Sequence, residues 1–116
     1  MRKATNPRYA GDIKTAIIRE NPVTITYRRD DGKIIVRTIE PYDIIKVEST
    51  GNHLIKSVER ESGEYRSFRT DRVISYTVGR GRFHMVRPAT KAAAALDDGW
   101  AQWAELTYDP DREYQS

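Results

Sequence analysis

Val23-Thr24-Ile25-Thr26-Tyr27-Arg28-Arg29-Asp30-Asp31-Gly32, continued by Lys33-Ile34-Ile35-Val36-Arg37-Thr38-Ile39-Glu40, is the stretch on which the fold turns. Val23, Ile25 and Tyr27 alternate with Thr24, Thr26 and Arg28, the period of two that marks a strand with one face in a core. Asp30-Asp31-Gly32 brings together residues that tolerate positive φ, so a hairpin turn is expected there. The second strand, 33–40, is apolar on both faces and ends at Pro41. A strand of that kind is expected to bend across a small barrel.

The same rhythm continues downstream. A third strand is expected from Tyr42 to Glu48 and a fourth from His53 to Glu59, separated by Ser49-Thr50-Gly51-Asn52. After the turn Glu61-Ser62-Gly63-Glu64 come a fifth strand, Tyr65 to Arg69, a turn at Thr70-Asp71-Arg72, and a last strand, Ile74 to Val78, before Gly79-Arg80-Gly81-Arg82. Upstream, Asp12 reads as a helix cap, Ile13, Ala16 and Ile17 share one helical face, and Asn21-Pro22 stops the run. Residues 1–9 read as a loose or docked arm. Beyond the strands, Ala92 to Leu96 is strongly helical, Gly99 interrupts, and Trp100, Trp103 and Leu106 recur every third residue.

The expected architecture is therefore one mostly-β domain with flanking helices. It comprises a flexible arm (1–9), a small Sm-like barrel of about five strands with one N-terminal helix (10–86), a C-terminal amphipathic helical extension (87–108) and a disordered tail (109–116).

At 116 residues the chain fits one domain, and with 38% hydrophobic and 32% charged residues it is expected to fold. It holds no cysteine, which removes disulfides, thiolate zinc sites and thiol nucleophiles. No apolar run reaches bilayer length and the N-terminus lacks the apolar core of a secretory signal, so no membrane role and a cytoplasmic location are expected. The net charge of +3 hides an asymmetry: residues 1–91 hold 19 Lys/Arg against 11 Asp/Glu, whereas 92–116 hold 1 against 6. A basic body suggests a phosphate-bearing partner, since clustered cations release counterions on meeting a polyanion. The acidic tail either completes the core or folds over the basic face as a phosphate mimic.

The chemistry-bearing stretch is Tyr65-Arg66-Ser67-Phe68-Arg69-Thr70-Asp71-Arg72-Val73. Strand alternation puts Arg66 beside Phe68, and Arg69 beside Tyr65 and Ser67. A guanidinium on an aromatic-rich strand needs an acceptor fork, which phosphate supplies; the competing reading pairs these arginines with Glu40, Glu59 or Glu64 across strands. Arg37, between Ile35 and Ile39 on one face, poses the same choice, bent towards a ligand or snorkelling from a sheet edge. Tyr27 offers a hydroxyl and a ring to a pocket or packs in the core, and Asp71 reads as a structural cap. Nothing in the sequence joins His53 and His84 into an acid–base pair, and no metal spacing, P-loop or nucleophile elbow is present, so neither an enzyme nor a cofactor is expected.

Tyr27, Arg37 with Pro41, and the run Arg66-Ser67-Phe68-Arg69-Thr70-Asp71-Arg72-Val73 after a glycine-containing hairpin turn resemble the WYL domain over about residues 10–79. The naming motif departs: Asn52-His53-Leu54 stands where Trp-Tyr-Leu is usual, and only the leucine is kept. The resemblance implies an Sm-like barrel used in bacterial and phage regulators as a sensor, with arginines and aromatics forming a positively charged pocket for nucleotides or oligonucleotides. Matched residue by residue, it implies Tyr27, Arg37, His53, Arg66, Arg69 and Arg72 as the ligand-binding set. In that family the domain usually follows a DNA-reading helix-turn-helix. Only 22 residues precede the first strand here, so a stand-alone module is expected.

The expected function is regulatory binding of single-stranded nucleic acid or a nucleotide, acting on transcription or on a nucleic-acid-processing partner. The alternative is a homo-oligomeric protein-interaction module built on Trp100, Trp103 and Leu106, with no nucleic-acid role.

Overall fold

The computed structural model describes residues 1–83 and Trp103. The elements run β1 (Arg2–Lys3), α1 (Tyr9–Arg19), β2 (Val23–Arg28), β3 (Ile34–Lys46), β4 (His53–Glu59), β5 (Tyr65–Arg69), a 3-10 turn (Thr70–Arg72) and β6 (Val73–Val78). They form one antiparallel sheet in the order β1-β6-β2-β3-β4-β5.

β2 and β3 form the hairpin read from the sequence, with Val23 opposite Ile39 and Tyr27 opposite Ile35. Its turn closes because Asp31 Oδ1 accepts the Lys33 N–H at 3.0 Å while Gly32 takes φ +84°, a conformation that side chains with a Cβ resist. The strands expected at 33–40 and 42–48 are a single strand, β3. It carries an irregularity between Pro41 and Asp43, where proline lacks the N–H a regular ladder needs, so the strand continues past Pro41 instead of ending there.

The expected barrel is corrected to an open sheet. β1 and β5 are its two edges and do not pair among the described residues. The three-residue turn from β5 to β6 nevertheless crosses from one edge to a strand four places away in the sheet order, which requires the sheet to curl steeply. The two edge strands are short: β1 has two residues and β5 five.

α1 packs on β3 and β6. Ile13, Ala16 and Ile17 face the core as their spacing requires, and Tyr9 and Ala10 join them, because the helix begins a turn earlier than the sequence suggests. Asp12 is thus not its cap; Asp12 Oδ2 accepts from Arg2 at 3.0 Å and from the Tyr76 hydroxyl at 2.7 Å. Within the stretch expected as a flexible arm (1–9), Arg2 pairs with Tyr76, Lys3 with Ser75, and the Ala4 N–H donates to the Ile74 carbonyl at 3.0 Å.

The core joins Tyr9, Ile13 and Ile17 of the helix to Val23, Ile25, Ile39, Ile44, Ile55, Phe68, Val73 and Tyr76 of the sheet. Trp103 completes it, buried and edge-on to Tyr9 with ring centroids 4.8 Å apart. This tryptophan therefore packs in its own chain's core. His84, the helix expected from Ala92, Trp100, Leu106 and the tail at 109–116 lie outside the described residues.

Candidate ligand pocket

The register of three strands builds the site. Ile39 on β3 faces Glu59 on β4, so Arg37, two residues back on the same face, lies diagonal to Glu59. Ser57 on β4 faces Arg66 on β5, so Arg66 lies diagonal to Glu59 from the other side. Two cations flank one carboxylate. Arg37 Nε stands 3.4 Å from Glu59 Oε1 and Arg66 Nε 2.7 Å from Glu59 Oε2. Glu59 is 6% exposed, whereas the Arg66 side chain is about half exposed, at 49%.

Around this trio opens a pocket of about 670 Å³, lined also by Tyr27, Phe68 and Tyr65 and by the Arg29-Asp30-Asp31 turn. Tyr27 and Phe68 meet edge to face at 5.1 Å. The Tyr27 hydroxyl accepts the Arg69 N–H at 3.0 Å, tying β2 to the end of β5 across the curl of the sheet. The pocket lies where the sheet's inner face passes from isoleucine to arginine. It carries three guanidinium groups, of Arg29, Arg37 and Arg66, against three carboxylates, of Asp30, Asp31 and Glu59, and so is charged but self-neutralised.

Of the six residues matched from the sequence, Tyr27, Arg37 and Arg66 share this pocket. Arg69 and Arg72 flank it with committed guanidinium groups. Arg69 holds Asp71 in a two-pronged pair, Nε to Oδ1 at 2.9 Å and Nη2 to Oδ2 at 2.6 Å, which pulls the Asp71 carboxyl below its usual range. Arg72 is paired with Asp30 of the β2–β3 turn.

His53 belongs elsewhere. It borders a second pocket, of about 500 Å³, with Tyr9, Thr70, Asp71 and Trp103. Its Nε2 is buried without a hydrogen-bond partner. Burial, with the Lys46 charge adding to it, pushes the imidazole below its ordinary value of 6.5. The unfolded chain therefore takes up the proton first, and the stability that this histidine contributes is present above about pH 6.5 and lost on acidification. The expected result is a thermal midpoint that falls between about pH 7.5 and 5.5, more steeply in the parent than in His53→Phe, with a difference of up to ~1.4 kcal/mol per pH unit. Equal slopes would mean that His53 does not titrate in this way. Asp43, whose carboxyl burial raises, is common to both proteins and cancels.

Glu59 is the member that the sequence names only as a pairing partner for the arginines. The signal lies in register: a glutamate at a strand end is ordinary until two diagonal arginines are placed beside it.

A profile of the WYL domain matches residues 8–78, which is more than half of the chain. The chain belongs to the WYL domain family. Among solved structures, proteasome accessory factor B/C (PafBC) of Arthrobacter aurescens is similar at a TM-score of 0.61 and 24% identity, over 84% of this chain. The chain spans 15% of that protein's length, so the likeness is one of fold with a segment of it. No curated protein matches the chain. In this WYL domain Arg66, Arg69 and Arg72 each pair with carboxylates of the chain itself. No helix among the described residues is long and apolar enough to cross a membrane.

Proposed function

We propose that this WYL domain is a regulatory module that binds a short single-stranded nucleic acid or a nucleotide in the pocket of Tyr27, Arg37 and Arg66, and that it acts by binding and not by catalysis. The observation that carries the reading is the half-exposed Arg66 guanidinium beside Arg37 in a pocket walled by Tyr27, Phe68 and Tyr65. Guanidinium supplies the fork for phosphate, and aromatic faces supply stacking for bases, which together suit single strands without reading a fixed sequence. Family membership supports the regulatory role. The partner that hears the signal is a transcription apparatus or a nucleic-acid-processing protein.

The test is an anisotropy titration with a labelled single-stranded RNA of about ten nucleotides and its DNA equivalent at two salt concentrations. Saturable binding is expected, with a log–log salt slope of about −1.4 to −2 for two or three phosphate contacts. Arg66→Ala should weaken it about tenfold, the worth of one charge-assisted hydrogen bond. Binding that ignores both salt and Arg66 would sink the reading.

A further inference from the structure

We propose that Glu59 and Glu64 are built-in competitors at the arginine pocket: exposed Glu64 occupies a guanidinium position that an anionic ligand takes over, while buried Glu59 stays and opposes the ligand's charge. The inference rests on the pocket's role as an anion site and specifies what keeps that site closed at rest.

Arg66 is engaged by the chain itself. Its Nε meets Glu59 Oε2 at 2.7 Å and its Nη2 meets Glu64 Oε2 at 2.7 Å, so two of its three nitrogens face a carboxylate. Glu59 spends its other oxygen on Arg37, at 3.4 Å. The hairpin between β4 and β5 fixes this arrangement. The Glu59 N–H donates to the Glu64 carbonyl at 2.9 Å, the Gly63 N–H donates to the Glu59 carbonyl at 2.8 Å, and Gly63 takes φ +71°. The turn thereby delivers both glutamates to one arginine.

The two carboxylates differ in how easily they yield. Glu64 has a side chain 62% exposed and its pair with Arg66 spans two positions of the chain, a contact of the kind that water and salt weaken readily. Glu59 is buried between two cations and stays in place, where it cancels charge that would otherwise attract an anion. A phosphate therefore displaces Glu64 from the Arg66 Nη2 edge and binds against the opposing field of Glu59. A strand of several phosphates can meet Arg66 together with the other guanidinium groups of the pocket, Arg29 and Arg37, an advantage over the single carboxylate of Glu64.

The experiment is the same anisotropy titration with the short labelled single-stranded RNA, using the full chain, Glu59→Gln, Glu64→Gln and each of these combined with Arg66→Ala. Glu59→Gln keeps the side chain's size and removes one opposing charge, and is expected to tighten binding about tenfold. Glu64→Gln, on the surface, is expected to tighten it about two- to threefold at low salt and less at high salt. Both gains should disappear when Arg66 is alanine. If the parent binds in an Arg66-dependent way while both glutamine variants bind equally or more weakly, the carboxylates position the arginines instead of competing, and the inference is overturned with the binding reading intact. Gains that persist without Arg66 overturn it as well, since the charge would then act on another surface. Absence of binding in every protein removes the binding reading and the inference with it. Should Glu59→Gln fail to fold, as a melting curve would reveal, Glu64→Gln alone decides.

Discussion

Tyr76→Ala should destabilise the domain by about 3–5 kcal/mol, a large part of the ~5–15 kcal/mol a domain usually has. Tyr76 is fully buried on β6, its ring 5.1 Å from that of Tyr9, its hydroxyl donating to Asp12 at 2.7 Å. One side chain thus fastens α1, β1 and β6, because Asp12 also accepts from Arg2. Truncation opens a cavity where the helix meets the sheet and removes one of the two partners of Asp12. Tyr76→Phe, which keeps the ring, should cost only about 1 kcal/mol. Denaturant midpoints for the two variants check this, and an alanine cost below about 1.5 kcal/mol would show that the helix is not anchored through Tyr76.

Replacing Arg37 and Arg66 together with methionine should cost about 2–3 kcal/mol, below the ~3–5 kcal/mol of a fully buried pair because Arg66 is half exposed and water screens it. The cost arises at Glu59, left as a buried carboxylate without its two cations. Adding Glu59→Leu should therefore recover at least ~1 kcal/mol, since an apolar trio of similar volume carries no desolvation debt. Equilibrium unfolding of the parent, double and triple variants forms the comparison. A triple variant no more stable than the double would mean that Glu59 reaches water in the folded state.

The strands were legible because their signals are local. Alternation placed β2 with the correct faces, turn residues placed the Asp30-Asp31-Gly32 turn and the bounds of β4, and the WYL pattern located Tyr27, Arg37 and Arg66, which share a pocket. What escaped depends on distant partners. The helix starts at Tyr9 because that ring packs on Tyr76 and Trp103 and its hydroxyl donates to the Thr70 carbonyl at 3.0 Å. Pro41 reads as a terminator, yet neighbouring strands carry β3 through it with one irregularity. His53 was grouped with the arginines through its place in a motif, whereas its strand sets it against Tyr9 and Trp103. The role of Glu59 is a diagonal relation among three strands, and no window of consecutive residues contains it.

The pairing of β1 with β6 has a consequence in time. The ribosome delivers Arg2 and Lys3 more than seventy residues before Ser75 and Tyr76, so the first strand of this sheet waits for its last before it finds a partner. β2 waits as well, since one of its two neighbours is β6. A topology with such distant pairings closes slowly, on the scale of milliseconds to seconds. During synthesis the hairpin of β2 and β3 forms early and presents an unclaimed edge until β6 emerges to cover it.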